Sequence, residues 1–131
     1  MIVDASVAVK WLLDEPGSKA ADTLLAGSGL ASVDLLFAEV ANTLWKTWRR
    51  GDFVQMPEGL ATLPSCFEQI TPCAELAVAA THLAIELDHP AYDCFYLAMA
   101  IANNTTLVTA DRRFITVCAS SRYANRLQEL V

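Results

Sequence analysis

The chain begins Met1-Ile2-Val3-Asp4-Ala5-Ser6. Ile2 and Val3 are β-branched and apolar, the composition of a short buried strand. Asp4 interrupts the run, and a helical pattern follows at once. A strand that passes directly into a helix opens a β-α unit. In open α/β sheets, ligands bind in the crevice outside the carboxyl ends of the strands, which is where Asp4 falls. Taken alone, Asp4 reads equally as a turn residue that merely ends a strand. What decides is whether other segments deliver groups to the same edge.

Downstream, strands and helices alternate. Val7–Asp14 reads as a short helix with Ser6 as its N-cap and Pro16-Gly17 as its stop. Ser18–Ala26 is a second helix, capped by Ser18 and ended by Gly27-Ser28-Gly29, and Leu30–Ser32 is a short strand. Asp34 then caps a longer helix that runs to Arg50, where Gly51 stops it. Its apolar stripe is Leu36, Phe37, Val40, Ala41, Leu44 and Trp48. Glu39, Asn42, Lys46 and Arg49 or Arg50 form a separate polar edge. Pro57, Gly59 and Pro64 divide 51–65 into short helical turns or loop. Phe67–Ile70 is a strand, and Thr71-Pro72 opens a helix to Leu87, with proline at its first position. A helix from Ala91 to Asn103 is apolar nearly all round, as a helix at the centre of a domain must be. Thr105–Thr109 is a buried strand, and Asp111 precedes a short helix from Arg112. The tail, Arg122–Val131, reads as either a final helix or an edge strand. This alternation predicts an α/β fold with a mainly parallel sheet covered on both faces, in one domain spanning 1–131.

The totals agree. At 54% hydrophobic and 18% charged residues the chain is not disordered, and 131 residues suffice for a substantial core. A net charge of −6 argues against binding nucleic acid through bulk positive charge, but not against a nuclease whose site is built of carboxylates. The four cysteines show no C-x-x-C spacing, and His82 and His89 lack the i,i+4 spacing of a helical metal pair. No signal-peptide pattern opens the chain, and no apolar run is long enough to cross a bilayer. A cytoplasmic protein with reduced thiols is therefore expected.

The carboxylates carry the chemistry. Asp4 ends the first strand and Asp111 lies just past the strand Thr105–Thr109, so in a parallel sheet both emerge at one edge. Glu39 and Asp93 sit in the first turns of their helices, whose N-termini lie over the same edge. Acids gathered this closely repel one another and their pKa values rise. A hard divalent cation, Mg²⁺ or Mn²⁺, removes that cost and prefers oxygen ligands. Such a metal activates water and polarises phosphoryl oxygen, so the arrangement suits phosphodiester hydrolysis. No histidine or cysteine is placed to take part.

Four segments together, Val3–Ser6, Ala38–Asn42, Tyr92–Ala98 and Leu107–Phe114, resemble the PIN-domain ribonucleases, and in order, spacing and length the VapC-type toxins of toxin–antitoxin pairs. The resemblance implies a PIN-like three-layer α/β/α sandwich and Mg²⁺- or Mn²⁺-dependent cleavage of RNA. It makes Asp4 and Asp93 the direct metal ligands, with Glu39 and Asp111 completing the pocket partly through water. Ser6 and Thr109 match small hydroxyl positions beside the acids, and Asn42 a polar position one turn after Glu39. It further implies a homodimer and an antitoxin partner.

Plainer readings exist for each residue. Glu39 alone is an ordinary acid favoured by a helix dipole, Asp111 caps the helix after it, and Ser6 is more commonly a cap than a ligand. Lys46, Arg49, Arg50, Arg112 and Arg113 either meet RNA phosphates or form solvated faces. Trp11, Trp45 and Trp48 read as core or dimer interface. Two other functions compete: a catalytically degenerate PIN-like binding module, and an aspartyl-phosphate phosphatase. The latter wants a second Asp two positions after the first, where this chain has Ser6.

Overall fold

A computed structural model describes residues 1–52 and 55–131. Within them, five strands form one sheet: β1 (Ile2–Val3), β2 (Ala31–Val33), β3 (Gln69–Thr71), β4 (Leu107–Thr109) and β5 (Leu127–Glu129). Six α-helices accompany it: α1 (Ala5–Leu12), α2 (Ser18–Ala26), α3 (Leu35–Arg49), α4 (Cys73–Leu87), α5 (Ala91–Ala102) and α6 (Arg112–Ala119). The strand order is β3-β2-β1-β4-β5, and every pairing is parallel. β1 pairs with β2 on one side and β4 on the other, so Ile2 lies opposite both Ala31 and Leu107. The first strand is thus the centre of the sheet. The order reverses there, which is the switch point where such sheets bind ligands.

Parallel strands must be covered on both faces because their crossovers are helices. Ile2 and Val3 are both buried, and they belong to different apolar clusters. Ile2 packs with Leu36, Val40, Leu97 and Phe114, whereas Val3 packs with Val7, Ala21 and Leu30. Successive strand residues point to opposite faces, so the sheet has a core on each side: an α/β/α sandwich. In α5, Tyr96, Leu97, Ala98, Met99 and Ala100 are all buried, which accounts for its unbroken apolar sequence.

Several local readings shift. The N-cap of α1 is Asp4, not Ser6, because the Asp4 carboxylate accepts from the backbone N–H groups of Ser6 and Val7. Gly17, at φ 93°, holds the cap position of α2. Ser18 instead ties the preceding turn, donating to Leu13 O and accepting from Glu15 N. Asp34 occupies the cap position of α3 but makes no cap bond there. Its Oδ1 accepts from Cys73 N, joining the start of α3 to the start of α4. The buried stripe of α3 is Leu36, Val40, Leu44 and Thr47, while Ala41 and Trp48 face solvent. Segment 51–65 contains 3-10 turns at Glu58–Leu60 and Leu63–Cys66, with Phe53 and Val54 outside the described residues. The tail resolves to a 3-10 turn, Ala124–Arg126, and the edge strand β5. Among the described residues no helix is long and apolar enough to cross a membrane.

Candidate functional site

Asp4, Glu39, Asp93 and Asp111 line one cavity of about 380 Å³ at the carboxyl edge of the sheet. Ser6, Lys10, Glu15, Thr43, Thr47, Arg50 and Tyr96 line it too. Two β-α junctions supply Asp4 and Asp111. Each acid ends or just follows a strand and caps the helix after it, Asp111 accepting from Arg113 N and Phe114 N. The other two acids come from the opening turns of α3 and α5, whose N-termini sit over that edge.

Each carboxylate is held by a donor of its own. Asp4 Oδ1 accepts from the Ser6 hydroxyl at 2.5 Å, and Oδ2 from the Thr109 hydroxyl at 2.5 Å. These hydroxyls are tied in turn: Ser6 Oγ accepts from Ala110 N, and Thr109 Oγ1 from Asp111 N. The end of β4 is thereby fastened to the start of α1. Glu39 Oε1 accepts from the Tyr96 hydroxyl at 2.5 Å. Asp93 Oδ2 lies 2.7 Å from His89 Nε2. With Asp93 ionised, its carboxylate can only accept, so Nε2 is the donor of that pair.

Two of these donors correct the sequence reading. His89 does stand beside the acids, paired with an aspartate four residues later and not with the other histidine. Tyr96 is buried and supplies a hydroxyl, not only core volume. Tyr96 shares a face of α5 with Asp93, three residues on, whereas His89 lies just before that helix, so spacing alone was a partial signal. Asn42 is exposed and is not among the cavity's lining residues, whose places along α3 belong to Thr43, Thr47 and Arg50. Thr109 is buried behind Asp4. Trp45 and Trp48 are exposed in this chain, so neither belongs to the core.

The cavity holds excess negative charge. Burial pushes the Asp4 carboxyl up to about 6, against bonds from Ser6 and Thr109 that lower it, and Asp93 raises it further. Glu39 is raised by burial and by Asp93 against the bond from Tyr96, and Asp93 by burial and by Asp111 against His89 and Arg113, which lower it. Asp93 is therefore the acid that the other three share as a neighbour. The cations on the cavity wall do not relieve this. Lys10 Nζ is taken by Glu15 Oε1 at 3.1 Å and Pro16 O at 2.7 Å, and Arg50 pairs with Asp52. Among the described residues no arginine or lysine forms a salt bridge with any of the four acids.

The donor set suits a hard cation. It is all carboxylate oxygen and lies in one cavity, and the carboxyls of Asp4, Glu39 and Asp93 are all raised there despite their donors. Among the described residues, no group of three or more His, Cys, Asp and Glu side chains stands close enough to hold one ion. Mg²⁺ does not need three protein ligands, because it keeps several waters and takes one or two carboxylates.

Residues 1–119 match the family described as PIN domain. The chain belongs to the PIN-domain family. Over 119 residues it is 31% identical to Ribonuclease VapC3 of Pyrobaculum aerophilum, an alignment covering 86% of this chain and 90% of that protein. The crystal structure of PAE2754, also from Pyrobaculum aerophilum, resembles it with a TM-score of 0.66 and 26% identity, covering 88% of this chain and 77% of that one. The sandwich is thus a PIN fold, and Asp4, Glu39, Asp93 and Asp111 all lie within the matched residues.

Proposed function

We propose that this PIN-domain protein is an endoribonuclease that uses Mg²⁺ or Mn²⁺ and acts as the toxin of a toxin–antitoxin pair. The observation that carries the reading is the single cavity lined by Asp4, Glu39, Asp93 and Asp111, in which, among the described residues, no arginine or lysine forms a salt bridge with any of the four and only His89 pairs with Asp93. The similarity to a protein named as a ribonuclease supports it.

Asp4 and Asp93 would hold the metal directly, and Glu39 and Asp111 partly through water. When bound, the cation lowers the pKa of a coordinated water and polarises a phosphoryl oxygen. The chain's own residues do the rest. Ser6 and Thr109 fix both oxygens of Asp4, so the carboxylate reacts from one orientation. Tyr96 fixes one oxygen of Glu39 and leaves the other free to orient a water or accept its proton. Lys10 and Arg50, on the same wall, are the cations available to RNA phosphates once they exchange Glu15 and Asp52 for them.

The test is cleavage of total cellular RNA by purified protein with Mg²⁺ or Mn²⁺, with new 5′ ends mapped by sequencing. Asp4→Asn and Asp93→Asn are each expected to lower the rate at least about 100-fold, as loss of a group acting on the transition state does. Equal activity in all three proteins would sink the reading. A binding module without catalysis is the second reading, favoured by the carboxylates' turn toward internal donors. Calorimetric titration with Mn²⁺ separates the two, since a binding module would show no site sensitive to Asp93→Asn.

For partners, the reading carries an antitoxin and a second copy of this chain. Trp45 and Trp48 on α3 are apolar surface for such contacts, as are Val78 and Ile85 on α4.

A further inference from the structure

We infer that His89 is a positioning residue for Asp93: its imidazole holds Oδ2, so that Oδ1 is the oxygen presented to the acidic cavity. The inference rests on the nuclease reading, because it assigns a role within that site.

The geometry is built for one bond. α4 ends at Asp88, which adopts the left-handed conformation at φ 50°. His89 follows, its backbone N–H donating to Ala84 O at 3.1 Å, and Pro90 starts α5 with a fixed φ of −52°. The backbone on both sides of His89 is thereby fixed. The side chain is fixed as well, at 6% exposure, with its ring packed on Phe114 at a centroid distance of 4.8 Å and 34° between planes. Phe114 is fully buried and lies in the first turn of α6, the helix capped by Asp111. One ring therefore bridges two of the acid-bearing elements. Its Nε2 reaches Asp93 Oδ2 at 2.7 Å, and among the described residues Asp93 Oδ1 has no protein donor.

A surface ion pair would not look like this. Asp93 lines the same cavity as Asp4, Glu39 and Asp111, and its charge raises the carboxyls of Asp4 and Glu39. Without a donor behind it, the carboxylate would be free to rotate away from the other acids. A buried donor on one oxygen removes that freedom and leaves the second oxygen for the cavity. Donors behind metal-binding groups work in the same way, and losing one typically costs 10–100-fold in affinity or activity.

The experiment separates the donor from the packing. His89→Phe keeps an aromatic ring against Phe114 but cannot donate, while His89→Gln restores an N–H at a position equivalent to Nε2. Three quantities are compared with wild type: kcat and KM on a labelled RNA that the wild type cleaves, Mn²⁺ affinity by calorimetry, and melting temperature. The expected result for His89→Phe is kcat lower by about 10-fold or more with KM nearly unchanged, and Mn²⁺ affinity lower by about 10-fold. His89→Gln should recover both to within roughly 3-fold. A folded His89→Phe with wild-type kcat and Mn²⁺ affinity overturns the inference, as does a folded His89→Gln no better than His89→Phe. If His89→Phe does not fold, His89→Asn replaces it, its amide being too short to reach Oδ2; equal Asn and Gln variants also overturn it. The nuclease reading fails separately. A wild type that cleaves no RNA yet binds Mn²⁺ more tightly than His89→Phe ends that reading and leaves the role of His89 standing.

Discussion

Asp4 is 5% exposed, and burial lifts its carboxyl from an ordinary 3.8 to about 6. A raised carboxyl destabilises the folded state wherever the group is ionised, so the sign is opposite to that of a salt-bridged aspartate. Below about pH 4 the group is protonated in both states and costs nothing. Between about 4 and 6 the folded protein binds more protons than the unfolded, so stability falls as pH rises. Above 6 the full cost, on the order of 3 kcal/mol, is present. Asp4→Asn removes it while retaining a residue that caps helices well, and its amide can donate to Thr109 Oγ1. The metal-free variant is therefore expected to melt higher than wild type at pH 7.5 and close to it at pH 4. Thermal melts of both proteins across that range are the measurement, and parallel curves would show that Asp4 carries no such cost. The acids themselves were legible in the sequence because each sits at a strand end or helix start. His89 and Tyr96 were not. A histidine between Asp88 and Pro90 reads as part of the connection between two helices, and a tyrosine in an apolar helix reads as core. Only the fold shows that their polar tips meet carboxylates.

Elements were legible where their boundaries carry their own chemistry. α2 matches its reading residue for residue because Gly17 and Gly27 bracket it, and α6 starts at Arg112 because Asp111 caps it. Strand limits were less legible. Strands of three residues have no punctuation of their own, and the ends of β2, β3 and β4 are set by partners far along the chain. The tail was the open case, since Leu127-Gln128-Glu129 suits either structure. It becomes a strand because the free edge of β4 is there to pair with, Val108 opposite Gln128, and because Glu129 meets Arg112 at the start of α6. β5 in turn covers the edge of the strand that delivers Thr109 and Asp111. Deleting 127–131 would leave β4 as an unpaired, fully buried-type edge, a template for association with other chains. The truncated protein is expected to melt lower and to elute as aggregate on size exclusion. Arg112→Ala, which removes only an exposed ion pair, should cost less than about 1 kcal/mol.

For the molecule as a whole, a net charge of −6 is less informative than its placement. Four acids share one edge of the sheet, and the nearby cations, Lys10 and Arg50, are committed to other partners. The fold therefore stores repulsion at one point and should be stabilised by whatever neutralises it there. A divalent cation that binds only the folded state at 100 times its Kd adds about 2.7 kcal/mol, which for a domain of this size is a rise in melting temperature on the order of 10 °C. Mn²⁺ at pH 7.5 is expected to produce this rise, and NaCl at matched ionic strength only a small part of it, because screening acts weakly on buried charges. Asp93→Asn should abolish most of the Mn²⁺ effect, since Asp93 shares the cavity with the other three acids and its charge raises Asp4 and Glu39. The effect should also shrink toward pH 5, because the ligands must be deprotonated and Asp4 takes up its proton near 6. Differential scanning calorimetry with and without Mn²⁺ at both pH values reads all three expectations. A rise of equal size in Asp93→Asn would place the bound cation elsewhere on the molecule and detach the acidic cavity from metal chemistry.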